Sequence, residues 1–147
     1  YIDREGGNVA IRAEAGLDLM SARRAAFAAG IWFERAGLDP AARPEREDSA
    51  FICDASACVA TLRDGRVMSV IRHVQVIEEE CQRADIIVTH RYLPWRWRRA
   101  CRAVALVIDR SDLKRGGAHA IHLTPDGPRV VTAQQHRGNR PWAQASD

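Results

Sequence analysis

Lysine is nearly missing from this chain. Lys114 is the only one, and arginine makes up the rest of the 22 basic residues. Arginine's planar fork donates two parallel hydrogen bonds to a phosphate, which an ammonium cannot do. The same usage also follows from a GC-rich coding sequence, and both readings stay open here. Long apolar runs are missing as well. No stretch reaches the ~20 continuous apolar residues of a membrane-spanning helix. The opening residues do not read as a signal peptide, and Tyr1 stands in place of an initiator methionine. We therefore expect a piece of a longer polypeptide. The motifs that carry common chemistries are absent too: G-x-S-x-G, G-x-x-x-x-G-K-[ST], G-x-G-x-x-G, H-E-x-x-H and His-x-His-x-Asp-His. With no complete catalytic or metal-binding constellation, the expectation is a binding or scaffolding domain without a cofactor, not a working enzyme.

What is present fits one domain. The 147 residues are enough for a core without metal or disulfide support, so we read 1–147 as a single unit. A net charge of +3 is too mild to name a partner, but its distribution is informative. Acid gathers at 45–48 and 78–80, and base gathers between Arg91 and Arg102. The four cysteines, Cys53, Cys58, Cys81 and Cys101, allow three pairings in an oxidising compartment. Cys53–Cys58 closes a tight hairpin-like loop. Cys81–Cys101 joins a helix end to the segment leaving the basic stretch. These are the expected pairs, whereas a reducing compartment would leave four thiols.

Alternation at Val9, Ile11 and Ala13 predicts a strand over 8–13, followed by a short one over 17–20. Ser21 is placed to cap a helix over 22–36, with Phe27, Ile31, Trp32 and Phe33 on or near one face. Gly37 and Pro40 end it. Residues 38–49 read as a mobile connector. Strands over 51–54, 57–63 and 67–71 form an antiparallel meander, its second turn set by Asp64-Gly65. A short helix over 75–83 follows. The apolar runs 86–89 and 103–108 read as strands covered on both faces. A helical turn over 111–115 is capped by Ser111, a hairpin pairs 118–123 with 129–133, and the tail over 134–147 reads as irregular. The fold class is α+β: a mixed, largely antiparallel sheet with two main helices.

The unusual segment runs from Arg91 to Arg102. It interleaves Arg91, Arg96, Arg98, Arg99 and Arg102 with Tyr92, Trp95 and Trp97. In one reading the arginines hold phosphates while Trp95 and Trp97 stack on bases of single- or double-stranded DNA. In a second the segment rests on a membrane surface, with tryptophan at headgroup level. In a third it is a loop whose tryptophans cap the core. The histidines are scattered. His119 and His122 point to opposite faces of one strand and cannot share a metal there. Asp109 and Asp112, at a strand end and a helix start, read as capping residues.

Six segments together resemble a known family. They are Phe51-Ile52-Cys53-Asp54 with Ala57-Cys58-Val59-Ala60, residues 79–88 (EECQRADIIV), residues 105–113 (ALVIDRSDL), Gly117-Ala118-His119-Ala120-Ile121, and Arg140-Pro141-Trp142. They resemble the C-terminal soluble region of ComEC-type bacterial DNA-uptake channel proteins, over about 8–142. The resemblance implies a reduced metallo-β-lactamase-like domain on the periplasmic side of the inner membrane, with the channel part of the same polypeptide as partner. Long forms of the region are proposed to be nucleases on the strand that is not imported. Their His-x-His-x-Asp-His motif is missing here, and His90 alone stands where they carry His-His-Gly. A residual metal-dependent nuclease would have to use His90 with Asp54, Asp109 or His119. A domain that only docks on its membrane part is the third alternative.

Overall fold

The computed structural model describes residues 1–14, 16–40 and 49–138. A five-stranded mixed sheet is its centre, in the order β3 (Phe51–Cys53), β4 (Ala57–Thr61), β5 (Val67–Ile71), β6 (Ile86–Thr89), β7 (Leu106–Ile108). The β3–β4–β5 pairs are antiparallel, and β5–β6–β7 are parallel. The meander follows from its turns. Asp54 accepts from the amides of Ser56 and Ala57 at 2.6 and 2.8 Å, and the next hairpin turns at Asp64-Gly65, with Gly65 at φ +85°. The parallel strands need crossovers. A 3₁₀ turn (Val74–Val76) with α2 (Ile77–Arg83) links β5 to β6, and α3 (Trp95–Ala100) links β6 to β7.

β6 explains why both sheet faces are covered. Its side chains alternate between two apolar clusters. Ile86 and Val88 join Ile2, Val9, Phe51, Met68 and Leu113 on one side. Ile87 joins Ile71, Ile77, Cys81, Leu93 and Cys101 on the other. The second cluster is roofed by α2 and α3, which the Cys81–Cys101 disulfide joins at a Cα separation of 4.9 Å. β7 differs from expectation: as the edge strand it buries only Ile108 fully.

Two hairpins flank the sheet, β1 (Ala10–Ala13) with β2 (Gly16–Leu19), and β8 (His119–Thr124) with β9 (Gly127–Thr132). Ile2 connects them. It bridges Val9, and it exchanges both backbone hydrogen bonds with His119, at 2.8 and 3.0 Å. α1 (Ala26–Arg35) packs Ala29, Trp32 and Phe33 on the first hairpin.

The α+β class, the mixed sheet and both cysteine pairs match the sequence reading, and the local boundaries correct it. α1 begins at Ala26 and not at Ala22, because the buried Asn8 captures the preceding turn. Asn8 Nδ2 donates to the carbonyls of Ser21 and Arg24 at 2.8 and 2.7 Å. Ser21 Oγ accepts from Arg24 N and caps that turn, not the helix. The burying face is 29/32/33, so Phe27, expected near it, points to solvent. α4 (Arg110–Gly116) is capped by Asp109, not Ser111, in a reciprocal box with Asp112. Among the described residues three helices join the two main ones expected: the turn read over 111–115 is α4, Arg91–Arg102 contains α3, and the tail opens with α5 (Ala133–Arg137), boxed by Thr132 and Gln135. Residues 41–48 of the connector and 139–147 of the tail lie outside the described residues.

The Cys81–Cys101 bridge closes a 20-residue separation. Replacing both cysteines by serine is expected to cost about 3 kcal/mol, read as a lower urea midpoint. Thiol titration of unreduced, denatured wild type is expected to find almost no free thiol.

Candidate nucleic-acid interface

α3 is a short helix held from beneath. Leu93, just before it, is buried, and its amide donates to Asp109 Oδ2 at 3.1 Å. Cys101, just after it, is fixed to α2 by the disulfide. Between them Arg98 turns toward the protein. Its Nη2 lies 2.9 Å from Asp109 Oδ2 and 2.7 Å from Asp112 Oδ2. Asp109 is fully buried and also accepts from the amides of Ser111 and Asp112, at 2.8 and 3.3 Å. Burial pushes its carboxyl up. The Arg98 hydrogen bond, the amides of Leu93 and Ser111 and the Arg98 charge outweigh that and hold it below the ordinary range.

Arg98 therefore serves the fold, while the other arginines of the segment differ. Arg91, Arg96, Arg99 and Arg102 are exposed and form no ion pair among the described residues. Trp95 and Arg99 stand at i and i+4 on α3 and share one outward stripe, and Arg102, in the turn past the helix, is exposed as well. Trp95 is 73% exposed and Tyr92 63%. Trp97 does the opposite job. It packs on the α2–α3 cluster, and Arg96 lies over its ring at 4.8 Å. Of the two tryptophans proposed as stacking platforms, Trp95 offers a free face and Trp97 roofs the core.

The topology adds cations that the linear sequence does not place together. Ile71 pairs with Thr89, and Val88 with Ile108. The residues just past the carboxyl ends of the three parallel strands are therefore neighbours: Arg72 and His73, His90 and Arg91, Asp109 and Arg110. The Arg110 amide donates to the Arg91 carbonyl at 3.2 Å. Gly6, at φ +66°, presses on the back of His90; a Cβ there would come 3.3 Å from His90 Cα and 2.7 Å from Leu113 Cδ1. Burial lowers the His90 pKa first, and the charges of Arg91, Arg24, Arg110 and His73 lower it further. Arg24, His73 and Arg110 are thus site residues missed in the sequence. For His73 and Arg110 the signal is position, since each follows the carboxyl end of a parallel strand, where open α/β sheets bind ligands; Arg24 lies in the turn that Asn8 holds.

The metal candidates do not converge. Among the described residues, no three His, Cys, Asp or Glu side chains gather where an ion could be held. His119 is buried with Nδ1 2.8 Å from the Gly117 carbonyl. Asp54 is taken up by its turn, Asp109 by the α4 cap and Arg98, and His90 faces cations. Among the described residues no helix is long and apolar enough to cross a membrane. Protein-family models, curated proteins and solved structures were all compared with this chain, and none matches.

Arg98→Ala would leave Asp109 buried and short of its main partner. A fully buried pair broken this way costs ~3–5 kcal/mol; with the Arg98 side chain 40% exposed, about 2 kcal/mol is expected. Because the folded Asp109 pKa is depressed, its stabilising contribution is complete above the unfolded carboxyl range near ~3.9. It is lost as pH falls through the folded value. Asp109→Asn should therefore lower stability at pH 7 and flatten the acid limb below about pH 4, measured by thermal unfolding from pH 2 to 7.

Proposed function

We propose that this chain is a non-catalytic accessory domain of a bacterial DNA-uptake channel, a reduced metallo-β-lactamase-like unit on the periplasmic side that contacts the entering DNA. One observation carries the contact: a helix pinned from below by a disulfide and the Arg98–Asp109–Asp112 ion pairs, with Arg96, Arg99, Arg102 and Trp95 exposed and the three arginines without an ion pair among the described residues. Unpaired arginines gain most from phosphates, because binding releases the counterions condensed on the nucleic acid. An exposed indole beside them stacks on a base without regard to sequence. Arg91, Arg110 and Arg24 extend the positive surface over the strand ends. The resemblance to ComEC-type proteins supports the setting, and two disulfides fit an oxidising compartment.

Fluorescence anisotropy with a short oligothymidylate, repeated from low to physiological salt, tests this. Arg96→Ala/Arg99→Ala/Arg102→Ala is expected to reduce the slope of log K against log salt by about 2, at ~0.7 per phosphate contact on a single strand. Trp95→Ala should weaken binding by ~1–3 kcal/mol, with Trp97→Ala acting instead on folding stability. Unchanged affinity in the triple variant would remove α3 from the interface. A domain that binds no oligonucleotide, yet loses its association with the channel part when Trp95 is replaced, would be a docking domain.

A further inference from the structure

The two disulfides sit in different chemical settings. Cys81 and Cys101 are both buried under α2 and α3. Cys53 and Cys58 face each other across the β3–β4 hairpin at a Cα separation of 4.0 Å, one rung from the Asp54 amide to Ala57 carbonyl bond at 2.9 Å. This second pair is asymmetric. Cys53 is exposed on the edge strand, whereas Cys58 is fully buried. Arg72 is fixed beside the buried sulfur. Its Nη1 donates to the Asp54 carbonyl at 2.8 Å and its Nη2 to Cys58 Sγ at 2.9 Å.

Cys53 also lines a cavity of about 800 Å³ together with Arg72, Arg23, Arg24, Ser21 and Ser49. Asp18 is the acidic member of that lining, and its carboxylate is occupied by Ser49 Oγ at 3.2 Å and the Ala50 amide at 2.5 Å. Arg23, Arg24 and Arg72 form no ion pair among the described residues. Among the described residues the cavity thus presents positive charge without an ion-pair partner, next to the one disulfide with an exposed cysteine.

We propose that Cys53–Cys58 is an exchange-active disulfide whose substrate is a small carboxylate-bearing thiol, held by Arg23 and Arg24 and attacking Cys53. The incoming thiol gives its proton to solvent, and its thiolate forms a new bond to Cys53 Sγ. The Cys53–Cys58 bond breaks, and its electron pair leaves on Cys58 Sγ as a thiolate. The guanidinium of Arg72 already donates to that atom. A leaving sulfur stabilised as thiolate departs faster, which makes Arg72 a positioning residue for the leaving group. The products are a mixed disulfide on Cys53 and a thiolate on Cys58. Return attack by Cys58 restores the starting state, and a second thiol completes the reduction.

The test incubates the oxidised chain with reduced glutathione, 2-mercaptoethanol or cysteamine, quenches with iodoacetamide and maps the peptides by mass spectrometry. The expected pattern is a glutathione adduct on Cys53, an alkylated Cys58 and an intact Cys81–Cys101. Rates per thiolate should fall from the anionic to the neutral to the cationic thiol. Arg23→Ala/Arg24→Ala should abolish that order. Arg72→Gln should slow all three thiols by roughly threefold or more. If Arg72→Gln does not fold by circular dichroism, Arg72→Lys is used, and it should be slowed less. Adducts on Cys58, equal rates for the three thiols, or earlier opening of Cys81–Cys101 would each overturn the proposal.

Discussion

A carboxylate with no solvent contact must be compensated by its surroundings, and in this chain the surroundings of Asp109 define the working half of the molecule. Asp109 ends β7 and starts α4, so its cap bonds fix the angle between them. One oxygen also takes the Leu93 amide and the Arg98 guanidinium, which ties the entry and the middle of α3 to the same point. Without that carboxylate, α3 would be a six-residue helix with no side-chain cap at its start, too short to persist by propensity. The disulfide fixes one end of α3, and Asp109 fixes its rotation.

Rotation decides which side chains face outward. Turning Arg98 inward presents Trp95 and Arg99 together and sets Trp97 on the core. The positive surface is therefore a by-product of one satisfied negative charge. Nearby, cations converge from the turn before α1 and the ends of β5, β6 and β7. Such a surface raises the local concentration of polyanions and speeds their arrival, while opposing its own compactness.

The elements that read clearly in the sequence are those fixed by local chemistry. Asp64-Gly65, Thr124-Pro125-Asp126-Gly127 and the continuous run Ile86–Thr89 carry their own turn or burial signal, and the hairpins and central strand follow. What was not legible depends on distant partners. Ser21 looks like a helix cap, yet Asn8, thirteen residues upstream, claims the backbone around it. At α4 the sequence offered Ser111 as the cap beside Asp109 and Asp112 as capping residues, and the structure gives the cap to the Asp109–Asp112 box alone. In the candidate site the arginines read as one equivalent set. Only the fold separates Arg98 from the others, because its partners lie 11 and 14 residues away on a different element. Arg24 and Arg110 carried no signal among their sequence neighbours: strand register brings Arg110 beside His90, and the Asn8 side chain holds the turn that carries Arg24.

The bridge from Ile2 to His119 also governs how the chain can assemble. These residues are more than a hundred positions apart, so their pairing carries a large loop-closure entropy before any contact offsets it. The α2–β6–α3–β7 region can form from contacts close in sequence, whereas the two flanking hairpins must wait for each other. During synthesis the first hairpin emerges without its partner edge, and Ile2 keeps an unpaired backbone until β8 is made. Closing this bridge is therefore expected to be a late, non-local step, and until then the edge of the first hairpin stays open to other strands.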